Sequence, residues 1–116
     1  MSVAAGPAID HRQPVIKALD FDEHGFLRDP KKWSRNIAKR IAEMDDVGPM
    51  TPDHWAILYS LREHYFANNT APLMASVCRT AHLPKYAVHS LFGGCRRAWR
   101  VAGLPNPGEE ATTYMT

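Results

Sequence analysis

Two cysteines are the side chains of this 116-residue chain best suited to covalent chemistry. Cys78 and Cys95 are far apart in sequence, and neither belongs to a CxxC pair. Cys78 falls on an apolar helical stripe and is interpreted as a core residue. Cys95 precedes Arg96 and Arg97 at a predicted helix start, and both influences favour a thiolate that could act as a nucleophile. The ordinary alternative for Cys95 is a reduced, unreactive surface thiol.

The histidines give no sign of a metal site. The six, at positions 11, 24, 54, 64, 82 and 89, form no HExxH pattern and are not paired with the cysteines. A structural zinc ion needs about four ligands at suitable spacing. We therefore expect no metal and no other cofactor.

Length and composition predict one domain. Hydrophobic residues make up 45% of the chain and include three tryptophans, so a core can form. No stretch reaches the roughly 20 apolar residues that span a bilayer. The first 14 residues lack the basic and apolar segments of a signal peptide. We expect a cytoplasmic protein that does not enter the membrane.

The net charge of +2 is unevenly distributed. No acidic residue lies between His64 and Gly108, so the basic residues there favour an anionic partner, either nucleic acid or an acidic protein surface. A solvated charged face remains an equal alternative. The candidate contacts are Arg79, Lys85, Arg96, Arg97 and Arg100.

The sequence pattern predicts a mainly α fold. Residues 18–27 are typical of a short β-hairpin with Gly25 at the turn. Asp29-Pro30 and Thr51-Pro52 are helix starts, with a cap followed by proline at the first helical position. Apolar spacing then predicts helices at about 30–45, 52–69, 71–81, 84–92 and 95–102.

Domain boundaries follow from the same pattern. Residues 1–17 are expected to be a flexible segment and residues 18–102 a single helical domain. Two prolines and two glycines in residues 103–108 prevent a helix from continuing. Residues 103–116, here named the C-terminal arm, are therefore expected to be extended.

The helices predicted at 71–81 and 84–92 resemble a helix-turn-helix outline. The second would be the reading helix, and it offers Lys85, Tyr86, His89 and Ser90. Only one of these four side chains is a strong partner for phosphate or guanine, and a recognition helix needs more than one. DNA binding stays open as an alternative.

Three segments resemble the family of sulfur-relay proteins that contains DsrC and TusE. Each is similar to a family pattern, in order D-x-x-G-F-L with D-P-x-x-W, T-x-x-H-W with L-R-x-x-Y, and L-F-P-x-G-P followed by I-A-G-L-P-K-P. In this sequence the matching segments are Leu19–Leu27 with Pro30 and Trp33, Thr51–Trp55 with Leu61–Tyr65, and Leu91–Gly94 with Val101–Pro107.

The resemblance implies a helical fold with a hairpin, a helix-turn-helix-like centre and a mobile arm. In TusE-like members the penultimate cysteine of the arm accepts persulfide sulfur during tRNA thiolation. In DsrC-like members that cysteine and an earlier one carry sulfur at a siroheme sulfite reductase. Partners would be sulfite-reductase-like or sulfur-transferase proteins.

This sequence departs from the family at both cysteines. Counting from Ala102-Gly103, the earlier cysteine falls on Trp99 and the penultimate one on Glu110. An indole and a carboxylate cannot carry sulfane sulfur, so we expect the protein not to be a sulfurtransferase of the usual kind. We expect Trp99 to pack against the helical body.

Three functions remain open at this point. The first is a regulatory, partner-binding family member that carries no sulfur. The second is sulfur transfer through Cys95, and the third is DNA binding through the helix-turn-helix-like region.

Overall fold

The computed structural model describes residues 20–114. Within this range the chain forms a 3-10 turn at Pro30–Lys32 and six α-helices. The helices are α1 (Arg35–Met44), α2 (Pro52–Asn68), α3 (Met74–Thr80), α4 (Ala87–Phe92), α5 (Cys95–Val101) and α6 (Glu109–Tyr114). The predicted mainly α fold is confirmed. None of the helices in residues 20–114 is both long and apolar enough to cross a membrane.

A minimal hairpin precedes the helices. Phe21 and Leu27 form one antiparallel bridge, and the N–H of Asp22 donates to the carbonyl of Phe26 at 2.8 Å. Gly25 turns the chain at φ +88°, a conformation that favours glycine. The predicted hairpin is thus present from residue 20 onward. Its first two predicted residues, 18 and 19, lie outside the described residues.

The first predicted helix is divided. Asp29 caps only the 3-10 turn, and its carboxylate accepts the N–H of Lys31 at 3.0 Å. The chain is extended at Trp33, and Ser34 then caps α1 by accepting the N–H of Ile37 at 3.3 Å. The second cap offers a serine oxygen to an unpaired helix N–H, which explains why α1 starts later than predicted.

Helix α2 is the centre of the domain. It contacts α3, α4 and α5, while α1 packs on α5. Thr51 caps α2, and the Nδ1 atom of His54 accepts the N–H of Thr51 at 3.0 Å. The Nε2 atom of His54 lies 3.0 Å from the carbonyl of Leu91 and carries the proton that this carbonyl accepts. His54 therefore joins the start of α2 to the end of α4.

Helices α3 and α4, which correspond to the predicted helix-turn-helix outline, are both shorter than expected. Because α4 begins at Ala87, Lys85 and Tyr86 lie in the connection before it. His82 adopts a left-handed conformation in that connection, with φ +61°. The prediction that Lys85 and Tyr86 belong to a recognition helix is wrong, because the chain first makes a turn in which the N–H of Ala87 donates to the carbonyl of Pro84 at 2.9 Å.

The end of the arm also differs from the prediction. Residues 109–114 were expected to be extended but form α6. The N–H of Gly108 donates to the Asn106 side chain at 2.9 Å, and the hydroxyl of Thr112 donates to the carbonyl of Gly108 at 2.8 Å. Glu109 and Glu110 occupy the first turn, where negative charge favours a helix.

Candidate functional site

The base of the arm is held by Trp99. This side chain is fully buried, and its indole N–H donates to the carbonyl of Pro105 at 2.7 Å. The ring of Tyr65 meets the indole edge to face, with 6.0 Å between the centroids. Leu104, inside the loop that this bond closes, is also fully buried. The packing expected for Trp99 is present, and it fixes the chain as far as Pro105.

Trp33 and Arg62 also bind the base of the arm, through the carbonyls of Val101 and Ala102. The indole N–H of Trp33 donates to the carbonyl of Val101 at 2.8 Å. Arg62 donates to the carbonyl of Ala102 at 2.8 Å and to that of Pro30 at 2.9 Å. Burial lowers the pKa of Arg62 from its ordinary value. Arg62 thus joins the start of the helical body to the base of the arm.

Gly103 allows the close approach between these elements. Its φ is +67°, and a Cβ at this position would lie 2.1 Å from the Cδ1 atom of Trp33. Such a distance is incompatible with any side chain unless the indole moves. The A-G-L-P pattern therefore has a structural explanation in this chain: glycine lets the arm base lie against Trp33.

A groove lies between α6 and the connection from α2 to α3. Its volume is about 650 Å³. The half-buried thiol of Cys95 lines it, together with residues 69–74 on one side and residues 107–111 on the other. Glu109 and Glu110 belong to the second set, so the structure brings Glu110 and Cys95 to the same groove.

The electrostatic setting of Cys95 is opposite to the one expected. Burial raises the pKa of the Cys95 thiol, and the neighbouring Cys78 raises it further. A hydrogen bond to the backbone of Cys95 itself lowers the pKa, but by less. Burial and Cys78 therefore act against the activated thiolate that the sequence predicts at Cys95.

The two arginines next to Cys95 point elsewhere. Arg96 donates to the carbonyl of His24 at 3.2 Å, and its guanidinium lies 5.2 Å from the ring centroid of Phe26. Arg97 lies over Gly93, where an added Cβ would be 2.9 Å from its Nη1 atom. Consecutive residues of a helix are rotated by about 100°, which separates these charges from the thiol.

The structure gives the five predicted anion contacts different surroundings. Arg100 donates to the carbonyl of Gly25 at 2.9 Å and forms a largely buried ion pair with Asp45. With Arg96 on the hairpin, two of the five are used inside the fold. Arg79, Lys85 and Arg97 are exposed, and Arg79 donates to the hydroxyl of Ser76 at 3.3 Å.

Sequence reasoning did not assign Arg62 to the site. It belongs to the L-R-x-x-Y pattern, but its link to Pro30 and Ala102 depends on contacts between distant segments. A signal was available, because Arg62 follows Leu58 and Leu61 on the buried side of α2. An arginine beside core positions needs internal acceptors.

Comparison with known proteins agrees with this architecture. The family model described as "DsrC like protein" matches residues 15–109. The chain belongs to the DsrC-like family. The sulfurtransferase TusE of Buchnera aphidicola (subspecies Schizaphis graminum) is 29% identical to this DsrC-like chain over 107 residues, covering 84% of the chain and 93% of the relative. TusE of Escherichia coli K12 is 29% identical over 101 residues, covering 78% and 91%.

Solved structures show the same fold. The crystal structure of the oxidized gamma-subunit of the dissimilatory sulfite reductase (DsrC) from Archaeoglobus fulgidus has a TM-score of 0.66 and 28% identity to this DsrC-like chain. It covers 78% of the chain and 90% of that structure's chain. A chain in the crystal structure of dissimilatory sulfite reductase I has a TM-score of 0.70 at 28% identity, with coverage of 78% and 89%. This DsrC-like chain is therefore a member of a sulfur-metabolism family.

Proposed function

We propose that this DsrC-like protein is a regulatory, partner-binding member of the sulfur-relay family that carries no sulfur itself. It docks in the cytoplasm on a sulfite-reductase-like or sulfur-transferase protein. The observation that carries the proposal is the state of Trp99, which stands where the resemblance places one arm cysteine. It is buried and hydrogen-bonded to Pro105, so neither its chemistry nor its position suits a carrier.

The chemistry of a relay explains why the arm is inactive. A thiolate attacks the outer sulfur of a donor persulfide, the sulfur–sulfur bond of the donor breaks, and the donor leaves as a thiolate. Glu110, at the position of the penultimate cysteine, has no sulfur with which to form the new bond. Its carboxylate is exposed on the first turn of α6. The scaffold is retained while both nucleophiles are absent.

Sulfur transfer through Cys95 is the second candidate. Its support is the position of the thiol in a groove of about 650 Å³ bordered by the arm. Against it stands the raised pKa of Cys95, because only the thiolate attacks a persulfide. DNA binding has weaker support than either, since α4 begins after Lys85 and Tyr86, and Arg96 and Arg100 are bound within the fold.

Persulfide loading separates the two leading candidates. The full-length protein is incubated with a persulfide donor at neutral pH, and intact-mass spectrometry measures added sulfur, about 32 Da per atom. We expect no adduct on the wild-type protein. The matched positive control is Glu110→Cys, which places an exposed thiol on the arm and should gain one sulfur atom.

A Cys95→Ser variant completes the experiment. Loading of the wild-type protein that disappears in Cys95→Ser would contradict the non-carrier proposal and show that Cys95 accepts sulfur. Loading of Glu110→Cys alone would agree with a scaffold whose arm chemistry has been lost. A Cys78→Ser variant shows whether any adduct comes from the buried thiol instead.

A further inference from the structure

A row of aromatic and arginine side chains lies partly exposed along one side of α2. Tyr59 and Phe66 are 44% and 51% exposed, although both are large apolar side chains on a central helix. Arg35 of α1 donates to the hydroxyl of Tyr59 at 2.9 Å. Its guanidinium stacks 3.9 Å from the ring centroid of Trp55. Arginine thus covers one ring and leaves a mixed aromatic and cationic surface.

The row is continuous. The rings of Trp33 and Tyr59 meet edge to face at 5.9 Å. The guanidinium of Arg62 lies 4.2 Å from the ring centroid of Trp33 and 5.1 Å from that of Phe66. Each member therefore contacts the next over two turns of helix, about 10 Å. We name this row the α2 face; its members are Arg35, Tyr59, Trp33, Arg62 and Phe66.

Positive charge borders the α2 face. Lys31 and Lys32 are exposed and directly precede Trp33. Between residues 28 and 42 the sequence has six lysines and arginines and one acid, Asp29, whose carboxylate caps the 3-10 turn. Within residues 20–114 two of those cations have acidic partners, Arg28 with Asp20 and Arg40 with Glu43, and no ion pair engages the lysines. The charge beside the α2 face is available to a partner.

The chemistry of this surface favours a protein partner over a nucleic acid. Tyrosine, tryptophan and arginine are the residues that carry most binding energy at protein interfaces. Arg62 uses its two terminal nitrogens on the carbonyls of Ala102 and Pro30, so it is not free to clamp a phosphate. A border of lysines steers and selects an acidic surface.

We propose that the α2 face is a docking surface for a partner protein that presents carboxylates around an apolar centre. The inference deepens the proposed function, because it names the surface and the partner's chemistry. Trp33 and Arg62 belong to the α2 face and also hold the base of the arm. A partner bound there therefore lies next to the segment that leads to the groove of Cys95.

Photo-cross-linking in the source cells tests this surface. Full-length protein with p-benzoylphenylalanine at position 66 is illuminated, and mass spectrometry identifies the cross-linked peptide. We expect one protein, joined through a segment rich in aspartate and glutamate. The control carries the same probe at position 86, where Tyr86 is 65% exposed in the connection before α4. It should not yield this product.

Charge reversal then tests the purified pair. The double variant that combines Lys31→Glu and Lys32→Glu should weaken binding to the identified partner by about tenfold or more. Reversing the partner's carboxylates to lysine should restore binding to that variant. The matched control, Arg79→Glu with Lys85→Glu, changes the same charge on exposed residues away from the α2 face and should bind as the wild type does.

The other outcomes contradict the proposal. They are cross-linking to RNA, cross-linking to a second copy of the chain, no product at position 66, or equal losses in the two charge-reversal variants. The result is independent of persulfide loading. Sulfur on Cys95 with intact docking would overturn the non-carrier role alone, whereas failed docking without sulfur loading would overturn the α2 face alone.

Discussion

The indole nitrogen of Trp99 and the carbonyl oxygen of Pro105 are 2.7 Å apart, which closes a loop between residues six positions apart at the base of the arm. The loop encloses Leu104, and Tyr65 packs against the same indole. A side chain that the family resemblance places at a cysteine position has therefore become part of the core. Stability and the freedom of the arm should both depend on it.

Truncation of Trp99 should destabilise the fold and release the arm. Trp99→Ala leaves a cavity in the core, and we expect it to lower the free energy of unfolding by about 3–5 kcal/mol. Trp99→Phe keeps most of the volume but loses the bond to Pro105, and about 1–2 kcal/mol should be lost. Urea denaturation measures both. Equal losses in the two variants would show that the hydrogen bond, rather than packing, dominates.

Gly103 should not tolerate a side chain. In Gly103→Ala the methyl group meets Trp33 and the backbone keeps a positive φ, so we expect a loss of about 2–5 kcal/mol in the free energy of unfolding. Gly108→Ala is the matched control. Its φ is +103°, but no atom lies within 4 Å of the added carbon. It should cost about 1–2 kcal/mol, and a loss as large as that of Gly103→Ala would argue against the contact with Trp33.

Cys95 should react slowly at neutral pH and faster in alkali. Because burial raises its pKa, the thiolate fraction at pH 7 is smaller than for an ordinary cysteine. Iodoacetamide labelling followed by mass spectrometry should show a rate that rises about tenfold per pH unit until the raised pKa is reached. Cys95→Ser should remove almost all labelling, since Cys78 is fully buried. Rapid labelling at pH 7 would restore the hypothesis of an activated thiolate.

The same shift has a consequence for stability. A pKa that is higher in the folded than in the unfolded protein means that folding favours the protonated thiol. This contribution is complete below the pKa of an unfolded cysteine and is lost as the pH rises through the folded pKa. The wild-type protein should therefore lose stability in alkali more than Cys95→Ser does, measured by urea denaturation across that range.

Arg100 should behave as a core residue despite its charge. Arg100→Ala leaves Asp45 buried without its partner and removes the bond to Gly25, so we expect a loss of about 3–5 kcal/mol in the free energy of unfolding. Arg97→Ala, three residues earlier on the same helix and exposed, should change it by about 0.5 kcal/mol or less. Similar small effects in both variants would contradict the buried ion pair.

Local signals in the sequence were sufficient for much of the fold. Thr51 with Pro52 predicted the start of α2, and Gly25 predicted the turn of the hairpin. Such signals depend on a few neighbouring backbone groups. They were insufficient where two caps compete, as at Asp29 and Ser34, and where a short polar segment forms its own helix, as in α6.

The site was less predictable, because side-chain roles depend on distant partners. The sequence predicts surface charges at Arg96 and Arg100, yet Arg96 bonds to His24 and Arg100 to Asp45. No neighbour in sequence indicates these pairings. The cations beside Trp33 give a weak signal in the sequence for a different reason: acidic residues elsewhere in residues 1–63 outweigh them in net charge.

The internal bonds that hold the arm base end at Pro105, and this limit has an evolutionary consequence. Trp33, Arg62 and Trp99 bind the chain from Val101 to Pro105, whereas the side chains at positions 106 and 108–110 are exposed. Selection for a stable fold therefore constrains the segment that contains Glu110 only weakly. A residue in that segment can therefore be exchanged by a single substitution while the scaffold remains intact.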